Sequence, residues 1–340
     1  MAATTISDLW EPQVWVQGLN ERVRTDPSLI GSPVFVQNDL LDQAASGGGL
    51  TINVPGYRDL SEDAETNQGG TISLGAHGDI MNIAAIMNRE KGWGVEALAT
   101  AISNTPGRTQ DPVANILSQL ATNRRFRNQT TLMNILRGII SEGSGGALSA
   151  NAVGAFDEDA VGGTPELIDS DLITDAVAVM GDLGDSLQGG ILYAHSNIIA
   201  ALRKLDENDF HYVSRGSLTI TMFRELQIIT DRRLARPGQT SGSVYDTYIL
   251  APGSFGYGAK PQGLDVIDVA SLQRSMDKEK NVTGIYDRTR QIIHPDGMKW
   301  TGELSDDAGP TNAELADAAN WALGVSTADR VPLVGIFTNG

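Results

Sequence analysis

The feature that most constrains the fold is a long helical pattern between Asp111 and Ile140. Asp111 and Pro112 supply an N-cap and a proline at the first helical position, where proline is favoured. Apolar residues recur at helical spacing near both ends, whereas the middle is polar and basic. A helix of about 30 residues spans about 45 Å, which is more than a compact domain of this length needs. The pattern therefore predicts a spine helix whose middle lies on a surface.

A two-stranded arm is predicted before this helix. Leu50–Val54 alternates apolar and polar residues, which is strand periodicity, and Pro55 and Gly56 end the strand. A second extended run covers Thr71–Leu74 and Asp79–Asn88. Because an isolated hairpin is only marginally stable in water, we expect a neighbouring copy of the chain to supply the missing contacts. The charged tip gives candidates for such contacts: Arg58, Asp59, Glu62, Asp63 and Glu65.

Two further groups of residues are candidates for contacts between subunits. Trp10 and Trp15 lie in an irregular N-terminal arm and need an apolar surface, either on a partner or on their own core. The basic group Arg124, Arg125 and Arg127 could touch a polyanion or pair with acidic residues of a neighbour. In a chain with a net charge of −17 we favour the second interpretation.

After a Gly-rich linker at 143–163, the pattern mixes helices and strands, which gives an α+β chain. After Gly92–Gly94 a short helix is predicted through Val95 and Ile102, before the spine helix. The other expected elements are a helix capped by Ser170, strands at 191–194, 217–223, 226–230, 244–251 and 254–259, a long strand at 285–293, a helix at about 311–323 and a final strand at 331–337.

The sequence argues against an enzyme. It has no Cys, and its four His are widely spaced, which disfavours metal sites and excludes thiol catalysis. The glycines of 253–258 have the wrong spacing for a dinucleotide loop, and neither a P-loop nor a nucleophile elbow is found. No cofactor is expected. The start of the chain does not read as a signal peptide, and no apolar run is long enough to cross a membrane.

The order of these segments resembles the major capsid protein of tailed bacteriophages with the Hong Kong 97-type fold. The segments that carry the resemblance are Leu50–Leu60 for the rising edge of the extended loop, Lys91–Leu98 for its descent, Asp111–Ile116 for the start of the spine helix, Gly190–Ser196 for the axial strand, Arg288–Trp300 for the long peripheral strand and Thr311–Leu315 for the closing helix.

The resemblance implies an N-terminal arm (1–46), an extended β-loop (47–90), a peripheral domain with the spine helix (91–165), an axial domain (166–277), the long strand and its turn (278–303), and a C-terminal helix and strand (304–340). It implies self-assembly through pentamers and hexamers into an icosahedral shell around double-stranded DNA, with portal, scaffolding and decoration proteins as partners. Such a shell is assembled in the host cytoplasm and ends as the capsid of the virion.

Two departures from the family are visible. Some members crosslink through a Lys on the extended loop, but no Lys precedes Lys91 here, so we expect no such crosslink. Only about 45 residues precede the arm, so we expect a separate scaffolding protein or none. The main alternative is an encapsulin-like nanocompartment shell. An enzyme built on the α/β unit at 169–230, or another self-assembling phage part, is less well supported.

Overall fold

The computed structural model describes residues 29–57, 79–96, 112–141, 146–154, 167–181, 184, 187, 189–205, 209–215, 218–237, 243–259, 272–277, 282–304 and 309–339. The strands are β1 (Phe35–Gln37), β2 (Thr51–Tyr57), β3 (Asp79–Ala85), β4 (Met87–Glu96), β5 (Ala152–Val153), β6 (Ile191–Ala194), β7 (Phe210–Arg215), β8 (Leu218–Phe223), β9 (Leu226–Thr230), β10 (Ala235–Pro237), β11 (Ser243–Leu250), β12 (Phe255–Ala259), β13 (Leu272–Asp277), β14 (Val282–Pro295), β15 (Met298–Trp300), β16 (Trp321–Leu323) and β17 (Leu333–Thr338). The α-helices are α1 (Asp39–Ser46), α2 (Pro112–Ile139), α3 (Ser170–Val179), α4 (Ser196–Leu205) and α5 (Asn312–Ala316).

The long strand β14 organises a five-stranded sheet. Strand β4 lies antiparallel to it along ten residue pairs, from Met87 opposite Gln291 to Glu96 opposite Val282. Strands β12 and β13 pair with the other edge of β14, and β1 pairs in parallel with β12. The sheet thus brings together segments from the N-terminal part, the arm and the centre of the chain.

An eight-stranded mixed sheet runs in the order β5-β17-β11-β6-β9-β8-β7, with β10 paired to β11. The C-terminal strand β17 lies antiparallel to β11, with only the short β5 outside it, and all six of its residues are buried. Helices α3 and α4 cover one face, where Ile173, Ile198 and Leu202 share an apolar cluster with Leu192 and Phe223. Burying apolar side chains between helix and sheet is the main source of stability in such a layer.

Helix α2 packs its C-terminal half into the largest core cluster, with Ile135, Leu136 and Ile139 fully buried. Gly138 lies at the closest crossing with α5. A Cβ there would come within 2.1 Å of the Leu315 carbonyl oxygen, so only glycine permits this approach. The Trp321 indole N–H donates to the same oxygen at 2.9 Å, which fixes the crossing.

The described part of the predicted arm is a hairpin, β2 and β3, paired from Thr51 opposite Ala85 to Tyr57 opposite Asp79. The predicted run Thr71–Leu74 lies outside the described residues. At its base the Ile86 N–H donates to the Leu50 carbonyl at 2.8 Å. Seven residue pairs extend for about 20 Å at 3.3 Å per residue. Contrary to the expectation, β2 continues through Pro55 and Gly56. A two-stranded ladder tolerates this proline because a strand edge without a partner does not need its missing N–H.

The last part of the predicted N-terminal arm differs from the expectation of an irregular segment, because residues 35–46 form β1 and α1. Asp42 explains why: its Oδ1 accepts from the Ala259 N–H at 2.9 Å, and its Oδ2 accepts from Gln37 Nε2 at 2.7 Å. This buried carboxylate locks α1 onto β12. Trp10 and Trp15 lie outside the described residues.

Three other local expectations are corrected. Asp169, and not Ser170, caps α3, because its Oδ1 accepts from the Leu172 N–H at 2.8 Å. A helix was expected to begin after Gly94, but strand β4 continues through Gly92–Gly94 to Glu96 because it stays paired with β14. The rest of that expected helix lies outside the described residues. The predicted helix 311–323 ends at Ala316, since the backbone turns extended at Asp317, and Trp321–Leu323 pairs with β15 instead.

The long spine helix, predicted at about 111–140, is present as α2. Strands β12 and β13 pair with β14, and β17 joins the eight-stranded sheet. The domain division itself stays a prediction.

Candidate functional site

The polar middle of α2 is bound to a buried carboxylate. Asp287, on β14, is fully buried. Its Oδ1 accepts from Arg124 Nε at 2.9 Å and also from Arg124 Nη2, and its Oδ2 accepts from Arg127 Nη2 at 2.8 Å. A buried carboxylate held by two guanidinium groups meets the requirement that buried charges be paired and hydrogen-bonded. It ties the helix to the central strand of the five-stranded sheet.

The same helix is bound to the eight-stranded sheet through a second carboxylate. Asp246, on β11, is fully buried. It accepts from Arg137 Nε of the helix at 2.8 Å and from Arg236 Nε of β10 at 2.9 Å. The charge of Arg137 therefore faces the protein and not the solvent.

A third carboxylate, Asp231, follows β9. It accepts from Arg233 and from the Tyr193 hydroxyl, the latter at 2.8 Å. Burial opposes the ionised form, but the hydrogen bonds from Arg233 and Tyr193 outweigh it and lower the pKa of Asp231. Arg233 Nη1 also donates to the Phe126 carbonyl at 2.9 Å, so the Arg233–Asp231 ion pair is hydrogen-bonded to the helix as well.

These contacts hold part of the basic group on α2 within its own chain, and its contacts with a neighbouring subunit stay a prediction. Arg124 is buried and bound to Asp287 within its own chain. Arg127 is bound to Asp287 in the same way but is a quarter exposed. Arg125 lies against the Phe126 ring at 5.0 Å. The middle of the helix is polar because it binds buried acids, and only part of it reaches the surface.

A polar recess opens beside these contacts, between α2, β4, β14 and the start of α5. We call it the arginine pocket, and its volume is about 200 Å3. Its lining residues are Arg89, Asn123, Phe126, Arg127, Asn128, Thr130, Thr131, Thr289, Gln291 and Asn312.

Two guanidinium groups give the arginine pocket its charge. Arg89 Nη2 donates to Asn312 Oδ1 at 3.2 Å, and burial together with the nearby Arg127 lowers the pKa of Arg89. Burial likewise lowers the pKa of Arg127, against the opposing attraction of Asp287. The Phe126 side chain is 47% exposed, and the Arg233 guanidinium lies 5.5 Å from its ring centroid. The pocket can accept an anion, and its described lining has guanidinium, amide and hydroxyl groups but no carboxylate or imidazole.

Chemical sites of other kinds are not seen in the described part of the chain. Within it, no group of three or more His, Cys, Asp or Glu is arranged to hold a metal ion. No helix of the described segments is long and apolar enough to cross a membrane. His195 accepts the Asn197 N–H at 3.1 Å, and burial followed by the charge of Arg232 lowers the pKa of His195. The acidic tip of the arm, with Arg58, Asp59, Glu62, Asp63 and Glu65, lies outside the described residues.

Comparisons with known proteins agree with this architecture. No family model matches the chain. The chain is 23% identical to the major capsid protein of Bacillus phage SPP1 over 325 residues, which cover 94% of each chain. The capsid of Ralstonia phage GP4 superposes with a TM-score of 0.59 at 9% identity, over 90% of this chain and 87% of that one. This chain has the Hong Kong 97-type capsid fold. A structure from Microbacterium phage Oxtober96 shares it, with a TM-score of 0.51 at 12% identity and coverage of 99% and 95%.

Sequence reasoning missed the buried acids of this capsid fold and one of its arginines. Asp231, Asp246 and Asp287 stand singly in strand-like or loop segments, and nothing in the local pattern marks them as partners of the helix. Arg89 stands within the descending run of the arm, where it reads as an ordinary surface charge. One signal was available. Several arginines lie in the middle of a long helix, and in an acidic chain such a group indicates that carboxylates from distant segments pair with it.

Proposed function

We propose that this chain is a major capsid protein that assembles through pentamers and hexamers into an icosahedral shell enclosing double-stranded phage DNA. The observation that carries the proposal is the similarity to the major capsid protein of Bacillus phage SPP1, which extends over 94% of both chains. The shared capsid fold supports it. The role is structural, and the protein has its place in the capsid of the virion after assembly in the bacterial host.

The hairpin arm is the part that reaches a neighbouring subunit. Its base is anchored by Ile52 and Val54, which pack against Leu41, Ala84 and Ile86. Farther out, the Met81 side chain is 66% exposed among the residues that the structure describes. A two-stranded ribbon of this kind gains stability when another surface covers it.

The shell is held without covalent links from the arm, because no Lys occurs between Leu50 and Asn88. Assembled particles boiled in denaturant are expected to run as a single band of monomer mass, 36.1 kDa. Ladders of covalent oligomers on the gel would contradict this.

The partners follow from the same role: other copies of the chain, a portal, a separate scaffolding protein and, where present, a decoration protein. The net charge of −17 favours a wall that repels the phosphate backbone and contains DNA without binding its sequence.

Electron microscopy of the expressed chain, alone and with a candidate scaffolding protein, tests the proposal. Icosahedral shells are expected, and co-expression of a portal protein is expected to give shells that incorporate it. Shells that enclose a cargo enzyme and have no portal would indicate the encapsulin-like alternative. A stable monomer with enzymatic activity would refute both.

A further inference from the structure

Two arginines face each other's charge in the wall of the arginine pocket. Arg89 comes from β4 and Arg127 from α2, and the other residues of the described lining are neutral. Burial and then the charge of Arg127 lower the pKa of Arg89, so the two guanidinium groups are close enough to repel each other. Like charges held together in a partly buried recess are stabilised by an anion placed beside both of them.

The donors of Arg89 are mostly unused within the described part of the chain. Its guanidinium donates one hydrogen bond there, from Nη2 to the neutral amide oxygen Oδ1 of Asn312 at 3.2 Å. Glu314 attracts Arg89 but lies outside the pocket lining, and its Oε2 accepts from the Thr311 N–H and hydroxyl. A guanidinium has five N–H donors in a planar fork that suits carboxylate and phosphate oxygens.

Arg127 reaches both the buried acid and the pocket. Its Nη2 donates to Asp287, which is fully buried and is not part of the described lining. Its Nε is buried and makes no hydrogen bond to any residue that the structure describes. The side chain is a quarter exposed, so Asp287 does not enclose it, and it lines the recess opposite Arg89.

The size and lining of the pocket select a small oxyanion. Its volume of about 200 Å3 lies below the roughly 300–1,000 Å3 of sites for drug-sized ligands. A tetrahedral oxyanion has acceptor oxygens in several directions and can contact guanidinium groups from two elements at once. A DNA duplex is a poorer occupant, because a chain with a net charge of −17 repels it and its phosphates are held on a stiff backbone outside the recess.

We propose that the arginine pocket binds a free tetrahedral oxyanion, with inorganic phosphate as the test ligand, between Arg89 of β4 and Arg127 of α2. The bound ion joins the strand that leaves the arm to the spine helix. Every group that the proposal uses belongs to one chain. The site therefore does not require assembly, and its test is independent of the proposed shell-building function.

Isothermal titration calorimetry of the unassembled chain with sodium phosphate, against NaCl at the same ionic strength, measures the affinity. Two charge-assisted contacts correspond to a dissociation constant of about 1 mM. Arg89→Gln removes one of them and is expected to weaken phosphate binding about tenfold. Arg288→Gln is the matched control. It changes the net charge equally, but Arg288 is next to Thr289 on β14 and so lies on the opposite face, where it pairs with Glu90 at 3.0 Å.

Asn312→Asp tests the same site in the opposite direction. It replaces the amide that accepts from Arg89 with a carboxylate of nearly the same shape, so the pocket contains an anion of its own. At about 10 mM phosphate the unfolding midpoints of the wild-type chain and of Arg288→Gln are expected to rise by about 2 °C. The midpoint of Asn312→Asp is expected not to respond. This variant also keeps the proposal testable if Arg89→Gln does not fold.

Three results would overturn the proposal directly: no response to phosphate beyond the response to NaCl, equal phosphate affinity of Arg89→Gln and the wild-type chain, or a full phosphate response in Asn312→Asp. Acetate that binds as tightly as phosphate would assign the pocket to carboxylates instead. A short DNA duplex that displaces phosphate at micromolar concentration would assign it to nucleic acid. Competition by sulfate at the concentration at which phosphate binds would support the tetrahedral class.

Discussion

The strongest test of the internal ion pairs is Asp287→Asn. The substitution keeps the shape of the side chain but removes the charge that Arg124 and Arg127 share, and Arg124 is only 5% exposed. Breaking a buried pair by removing one partner costs about 3–5 kcal/mol, because a buried charge loses the carboxylate that it was bound to. We expect the free energy of unfolding of the unassembled chain to fall by about that amount.

Asp209→Asn provides the control, because it is the same chemical change in an exposed pair. Asp209 accepts from Arg224 Nε at 2.9 Å, and both side chains are more than a third exposed. Exposed pairs contribute about 0–1 kcal/mol. Urea unfolding followed by circular dichroism measures both variants, and a difference between them below about 1 kcal/mol would refute the reasoning.

A third variant asks whether charge or packing matters at this position. Replacing the whole group, as Arg124→Met, Arg127→Met and Asp287→Leu together, removes every buried charge at once. Apolar replacement of buried ion pairs is often neutral or stabilising. We therefore expect the triple variant to be more stable than Asp287→Asn alone. A triple variant less stable than the single one would show that hydrogen-bonded geometry, and not uncompensated charge, sets the cost.

Two further predictions concern the core. Gly138→Ala is expected to destabilise the chain by about 1–3 kcal/mol, because overpacking against Leu315 and Trp321 exceeds the gain in helix propensity. Thermal unfolding measures this effect. Gly48→Ala is the control, because a Cβ at Gly48 meets nothing within 4 Å. Burial lowers the pKa of His294 to about 4, so on acidification the unfolded chain takes up this proton before the folded chain does. The free energy of unfolding is expected to fall by about 3 kcal/mol between about pH 6.5 and pH 4. His294→Gln should remove that part of the pH dependence, and an unchanged pH profile would contradict the prediction.

Periodicity in the sequence predicted the elements whose pattern is local. The spine helix, the arm and the long strand each repeat one period over many residues, so their existence and type follow from the sequence. The contacts of the buried acids do not follow from the sequence in this way. Asp287 and Arg124 are separated by 163 positions. The sequence of a basic helix middle is the same whether its arginines contact solvent, a neighbouring subunit or a distant strand.

At the closing helix, local propensity predicted more helix than the chain forms. The run from Thr311 to Leu323 is rich in alanine and has a good capping box, which favours helix throughout. The helix nevertheless ends at Ala316, and the Asp317 side chain caps a new turn by accepting from the Ala319 N–H at 3.0 Å. Trp321 then packs edge-on against Trp300, with ring centroids 5.1 Å apart. Pairing with a strand formed twenty residues earlier cannot be read from local propensity.

The direct passage from arm to sheet has a mechanical consequence. Only Ile86 separates β3 from β4, so tension on the arm passes along the chain into the ladder between β4 and β14. That ladder has ten residue pairs whose hydrogen bonds lie perpendicular to the strands. A pull along the strand loads all of them at once in shear instead of opening them one by one. The root of the arm is therefore expected to resist a pull along β4 with all ten residue pairs together.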